Sequence, residues 1–261
     1  MLDNRRSAIG QPAQRRKSGG LGEVVRTVVF ALLIAVGIRT IAFEPFNIPS
    51  GSMIPTLLIG DYLFVSKYSY GYSRYSLPFG LPLWSGRFLP HEPKRGDVIV
   101  FKLPRDGKTD YIKRLIGLPG DRIQMKAGRL FINDEMVPRE RLSSDFTYSE
   151  GGYGGHAAQY IETLPGGVKH TIIELTDNGP YDTTGVYTVP PGEYFMMGDN
   201  RDNSLDSRVP PEQSGVGFVP FENLVGRAEF LFFSIDESAS WWAPWTWPGA
   251  IRYGRLFHGV G

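Results

Sequence analysis

The sequence predicts a mainly β protein carrying one N-terminal transmembrane helix, and three observations predict it. Short β-type runs alternate with turn signals, in "DYLFVSKYSYG", "GDVIVFKLP", "DYIKRLIGLPGD", "RLFINDEMV", "HTIIEL", "GVYTVPPGEYFMM" and "GRAEFLFFSI". Long amphipathic helical patterns are absent after residue 45, which disfavours a doubly wound α/β fold and leaves small antiparallel β layers or barrels. An apolar stretch, "VVRTVVFALLIAVGIRTIAF", stands ahead of all of these behind a basic flank.

Residues 1–23 form that flank, with Arg5, Arg6, Arg15, Arg16 and Lys17 against Asp3. Residues 24–43 predict the helix: Thr27 to Ile38 is uncharged, and Arg26 and Arg39 stand where long side chains snorkel to opposite interfaces. The positive-inside rule keeps the N-terminus cytoplasmic and exports the chain beyond Phe43. A cleaved signal peptide is the rival, because the uncharged core is short and "TIA" (Thr40 to Ala42) passes as a cleavage site. The paired arginines are explained more simply by a cytoplasmic flank than by a twin-arginine signal.

Residues 44–124 predict the first part of a β core and residues 187–261 its second part. Between them, residues 125–186 turn polar and glycine-rich ("SEGGYGGHAAQY", "LPGGVKH", "TDNGPYDTTG"), which suits an inserted β-rich module or a set of long hairpin loops. The tail "WWAPWTWPGAIRYGRLF" places four tryptophans near Arg252 and Arg255. Indoles favour a membrane interface and the arginines anionic headgroups, while aromatic packing at a domain edge is the alternative.

Composition narrows the chemistry. At 261 residues, 41% hydrophobic and 21% charged, the chain buries one substantial core or two modest ones. A net charge of +1 argues against nucleic acid as a partner. Zero cysteines exclude disulfides, thiolate metal sites and a cysteine nucleophile. With no His-Glu-x-x-His either, no metal and no cofactor is expected. "DGKT" (Asp106 to Thr109) has Lys102 where a phosphate loop's first glycine belongs, and reads as a turn.

"NIPSGSMIPTL" (Asn47 to Leu57) holds two serines that need a base to become nucleophiles. His91, His156, His170 and His258 carry no local catalytic signature. A lysine becomes a base once burial makes its neutral amine accessible. Lys113, among Tyr111, Ile112, Leu115 and Ile116, is the candidate, although an exposed strand lysine is the ordinary case. "MGDNRDNSLDSR" (Met197 to Arg208) has more polar detail than a plain turn requires. There Ser204 suits the role of orienting a neutral lysine, and Asp206 with Arg208 suits an ion pair that holds the loop.

These stretches, in this order, resemble the bacterial type I signal peptidases, a Ser/Lys dyad family. The resemblance runs from about Ile38 to Ile235 and is weakest over the middle segment. It implies an endopeptidase of the bacterial inner membrane that removes signal peptides after A-x-A-like sites; some family members have two spans, so the single pass and the periplasmic placement of the catalytic domain rest on the charge argument above. Carried onto this chain, it implies Ser52 as nucleophile and Lys113 as general base. Ser50 and the Ser52 N–H would form the oxyanion hole, and Ser204 would orient the lysine. Asp199, Asp206 and Arg208, with Asn200 and Arg201, would shape the supporting loop. Shallow pockets for small side chains are implied at Phe46, Ile48, Met53, Leu57, Leu63, Val100, Tyr111 and Ile112. The implied partners are signal peptides of exported preproteins and membrane lipid, the enzyme acting as a monomer. A related Ser/Lys repressor would need a DNA-binding helical domain, which this sequence does not predict. A Ser-x-x-Lys enzyme is excluded by Pro55. A catalytically inactive, membrane-anchored peptide-binding β domain is the alternative.

Overall fold

The computed structural model describes residues 20–76, 86–150, 153–240 and 242–260. The basic residues Arg5 to Lys17, and Trp241 of the aromatic tail, lie outside the described residues. The chain divides into two units, residues 1–37 and 38–261.

Helix α1 (Leu21–Ile41) has 21 residues, and its most apolar window reaches a mean hydropathy of 2.1. At 1.5 Å per residue it is roughly 31 Å long, about the thickness of a bilayer's hydrocarbon core. None of its residues is buried. The helix is therefore long and apolar enough to cross a membrane and reserves no stripe for a protein core. It starts three residues before the expected Val24 and stops two before Phe43. Phe43 already pairs with Ser66 as strand, and Glu44 precedes Pro45, a position biased away from helix.

Fifteen strands follow among the described residues. In chain order they are β1 (Phe43–Asn47), β2 (Asp61–Ser66), β3 (Val98–Lys102), β4 (Asp110–Gly117) and β5 (Arg122–Lys126). Next come β6 (Arg129–Ile132), β7 (Glu135–Met136), β8 (Arg139–Arg141), β9 (Phe146–Glu150) and β10 (Tyr153–Thr163). The last are β11 (Lys169–Glu174), β12 (Tyr187–Thr188), β13 (Glu193–Met197), β14 (Val219–Pro220) and β15 (Leu224–Ser234). A seven-stranded antiparallel sheet has the order β1-β2-β15-β3-β4-β13-β14. A second sheet is β11-β10-β8, with β9 also on β10, and a third is β12-β5-β6-β7. The second and third sheets thus draw their strands from residues 122–188.

The strand period of two explains how one sheet supports separate cores. In β3, Val98 and Val100 join a cluster with Ile48, Met53, Leu57 and Leu63, while Ile99 and Phe101 join another with Leu115 and Met196. β13 repeats the device: Tyr194 and Met196 enter that second cluster, and Phe195 and Met197 enter a third with Ile123, Met125, Leu130 and Ile132. β4 and β13 are neighbours between these cores, so the residues at and after their ends are held from both faces.

"DGKT" is a hairpin turn between β3 and β4, in which Asp106 Oδ1 accepts the N–H groups of Lys108 and Thr109 at 2.8 and 3.0 Å. In the tail, Arg255 reaches back to buried Asp61 and to the carbonyl of Thr56 (2.6 and 2.9 Å). Trp247 caps the Ser240 carbonyl. Trp242 and Trp245 are 92% and 77% exposed, so packing at a domain edge does not account for them.

Candidate active site

Ser52 sits in a short 3₁₀ turn, Gly51–Met53, entered through Ser50 in extended conformation. Met53, fully buried, anchors the turn in the core. Asn200 fixes its backbone from the other side: the Asn200 N–H donates to the Ser52 carbonyl and Nδ2 to the Gly51 carbonyl, both at 3.1 Å. The nucleophile turn and the 197–208 loop, far apart in sequence, are thereby one structural piece.

Lys113 lies in β4 opposite Ile99 of β3. Its Nζ is 2.6 Å from Ser52 Oγ and 2.9 Å from the Ile112 carbonyl oxygen, and it stands 5.4 Å from the centre of the Tyr111 ring. The side chain is 3% exposed. Burial pushes its pKa down to about 8, and the charges of Asp206 and Asp199 oppose that shift without cancelling it. An amine so placed is part-neutral near physiological pH, within reach of a hydroxyl proton.

The next residue, Arg114, points to the opposite face of β4 and is also buried. Its guanidinium forks onto Asp199 at 2.8 and 2.7 Å, and Thr56 Oγ1 donates to the same carboxylate. Burial pushes the Asp199 carboxyl up, but Arg114, His170 and Thr56 together hold it below the usual carboxylate range. Asp206 and Arg208 form a second buried pair, Nε to Oδ1 and Nη2 to Oδ2, both at 2.9 Å. Asp206 also accepts the Gly198 N–H at 3.0 Å, which fixes the start of the loop.

Ser204 Oγ is buried without a well-aligned protein partner, close enough to Asp206 to help lower that carboxyl's pKa. It packs on Gly198, where a Cβ would lie 2.3 Å from Ser204 Oγ and 2.4 Å from the Ser52 carbonyl oxygen. Glycine is what lets the loop come this near the nucleophile.

An open cleft of about 360 Å³ exposes the pair, with walls that include Ser50, Ser52, Tyr111, Ile112, Lys113 and Leu205. Of the eight residues implied as pocket lining, Tyr111 and Ile112 reach this cleft. Ile48, Met53, Leu57, Leu63 and Val100 are at most 3% exposed and pack together in the core, with Phe46 against them. They back the site here, and Ser50, Asn203 and Leu205 take their place on its walls. For Leu63 and Val100 the physical reason is alternation, which turns them inward from β2 and β3, while Ile48, Met53 and Leu57 lie outside the strands and pack into the same cluster.

The signal peptidase model of peptidase family S26 matches residues 21–233. The chain belongs to that family. A signal peptidase I of Rickettsia typhi is 46% identical over 249 residues, 87% of this chain and 89% of that protein. A second, from Rickettsia canadensis, is 43% identical over 256 residues, 90% of this chain and 92% of that one. A crystal structure of a signal peptidase I from Enterococcus faecalis is 29% identical, covering 52% of this chain and 97% of its own, with a TM-score of 0.29.

Sequence reasoning missed Arg114, Thr56, Glu162 and His170. Arg114 had a signal: two consecutive cations in an otherwise apolar strand lie on opposite faces, so each needs its own account. Glu162 and His170 sit opposite each other across β10 and β11, a register that the sequence does not display.

Proposed function

We propose that this chain is a membrane-anchored signal peptidase I, a serine endopeptidase with a Ser/Lys dyad that cuts exported preproteins after A-x-A-like sites. The observation that carries the reading is the 2.6 Å approach of a buried lysine to a serine at the wall of an open cleft. Neutral Lys113 takes the Ser52 proton as Oγ attacks the scissile carbonyl. The resulting ammonium gives that proton to the leaving amine, and water then hydrolyses the acyl-enzyme with Lys113 again as base. The Ser52 N–H and the Ser50 hydroxyl stabilise the oxyanion, and Asp199, Asp206 and Arg208 hold the loop; Ser204, whose hydroxyl makes no hydrogen bond to Lys113 here, is to aim the amine once Ser52 has turned to the substrate. Substrate lies extended in the cleft, and α1 keeps the domain beside its membrane-tethered substrates. The basic flank places the N-terminus in the cytoplasm and residues 44–261, including the module at 125–186, on the outer face of the inner membrane. The exposed Trp242 and Trp245 suit contact with lipid.

The deciding experiment is cleavage of an Ala-x-Ala peptide by detergent-solubilised protein over about pH 6 to 10. The rate is expected to climb through an alkaline midpoint near 8, the pKa of Lys113, and to vanish in Ser52→Ala. Folded protein that binds the peptide and cuts it at no pH would favour the peptide-binding domain instead. Ser50→Ala is expected to lower kcat by roughly 10²- to 10³-fold with KM little changed, as for other oxyanion donors. Gly198→Ala wedges a methyl between Ser204 and the Ser52 carbonyl. It is expected to cost about a hundred-fold in kcat, since displacing a reacting group by an ångström does as much. Steady-state kinetics on the same peptide checks both.

A further inference from the structure

Residues 199–201 are stitched into the protein from two sides. Toward the cleft, Asn200 holds the nucleophile turn through the Ser52 and Gly51 carbonyls. Toward the second sheet, the same segment pairs in parallel with β11: the Ile173 N–H donates to the Asp199 carbonyl and the Arg201 N–H to the Ile173 carbonyl, both at 3.0 Å. The side chains repeat the stitch. Arg201 forks onto the two oxygens of Glu162 in β10 at 2.9 and 2.5 Å. His170 of β11, directly opposite Glu162, places Nε2 3.4 Å from Glu162 Oε2 and 3.9 Å from Asp199 Oδ1. Asp199 in turn grips Arg114, the chain neighbour of Lys113. Both members of the dyad therefore rest on three residues whose far side is held by β10 and β11.

We propose that Glu162 and His170 are positioning residues for the Ser52–Lys113 pair, acting through Asp199, Asn200 and Arg201; this rests on the peptidase reading above. The second sheet then has a part in the reaction, as the rear support of the nucleophile. All four polar groups of the stitch, Glu162, His170, Asp199 and Arg201, are buried. A buried ion pair is poor evidence for stability, because desolvation offsets its attraction, and its best-attested use is to fix registry. The bidentate fork suits that use: two parallel N–H···O bonds fix angle as well as distance. Burial pushes the Glu162 carboxyl toward neutrality, but Arg201 and His170 win and hold it well below the usual carboxylate range, so the fork stays charged.

The test uses full-length protein in detergent, an Ala-x-Ala peptide and titration of reactive Ser52 with a covalent serine-directed reagent. Glu162→Gln keeps the shape and removes the charge. Its kcat per titrated site is expected to fall about ten-fold with KM unchanged, and Glu162→Asp to recover part of the loss. A support that merely adds stability would lower the melting temperature or the titrated fraction and leave kcat per site alone. That result in Glu162→Gln would overturn the proposal. If Glu162→Gln yields no folded protein, His170→Gln carries the same test, with the same kcat and KM split expected and a normal kcat per site again overturning it. Wild-type turnover that survives Ser52→Ala is a separate result: it defeats the peptidase reading, and the proposal with it.

Discussion

Lys113→Met is expected to cut kcat by roughly 10⁴- to 10⁶-fold, the scale on which triad members fail in serine proteases, while making the folded protein more stable at neutral pH. The two effects have one origin. Burial without a contacting carboxylate makes the amine a usable base and also makes its protonated form costly. The native pKa is about 8 against 10.5 for an ordinary lysine, so between those values the unfolded chain binds more protons than the native one. Stability then rises with pH across that window, and the cost of burying Lys113 is fully present below about 8. At 1.36 kcal/mol per unit the cost is about 3 kcal/mol. The hydrogen bonds to Ser52 and to the Ile112 carbonyl offset it, each by about 1 kcal/mol. Methionine fills a similar volume without a charge, so a net gain of about 1 to 3 kcal/mol is expected near pH 7, shrinking as pH approaches 10. Thermal unfolding of both proteins across that range checks the sign. A variant destabilised equally at pH 7 and pH 10 would show that Lys113 is not held as a strained cation.

How much of the protein is legible in its sequence depends on the range of the forces involved. The β fold shows in local alternation, and the apolar helix in length and composition, because both are set by contiguous residues. Ser50, Ser52, Ser204, Asp206 and Arg208 stood out as candidates because each sits in a stretch too polar or too proline-rich for its surroundings, and Lys113 because its neighbours in the strand are apolar. Partnerships were less legible. That Asp199 serves Arg114 rather than just shaping its own loop depends on how β4 and β13 meet, which no spacing encodes. Residues 125–186 look polar as a composition, yet Glu162, His170 and Glu174 in that segment are buried. Polarity in a sequence reports the residue type and says nothing of where the second sheet turns it. The residues implied as pocket lining show the same limit from the apolar side. Ile48, Met53, Leu57, Leu63 and Val100 are apolar and near the site in sequence or in space, but lie behind the wall that Ser50, Tyr111 and Ile112 form.

Arg114→Met is expected to destabilise the protein by about 3 to 5 kcal/mol, whereas Arg114→Met combined with Asp199→Leu recovers most of the loss. The single change leaves the Asp199 carboxylate buried at 1% exposure, with Thr56 and, at 3.9 Å, His170 as its remaining polar neighbours. With Arg114 in place the Asp199 pKa is lowered, so the pair's contribution is present above the ordinary carboxylate pKa and is lost as acid takes the pH down through the lowered one. Without Arg114, burial dominates, the carboxyl titrates upward, and the destabilisation is largest at neutral and alkaline pH. The double change removes both charges and so the desolvation cost, though the Gly96 carbonyl loses its bond from Arg114 Nη1 at 2.8 Å. Turnover separates stability from positioning. The double variant is expected to remain at least ten-fold below wild type in kcat, because an apolar contact does not fix β4 against the 199–201 segment as the fork does. Urea midpoints at about pH 5 and pH 8, with kcat at the higher pH, measure both. A single variant within 1 kcal/mol of wild type, or a double variant no more stable than the single, would mean that this pair is solvated in the working enzyme and that Lys113 is held in place by the cores of the sheet alone.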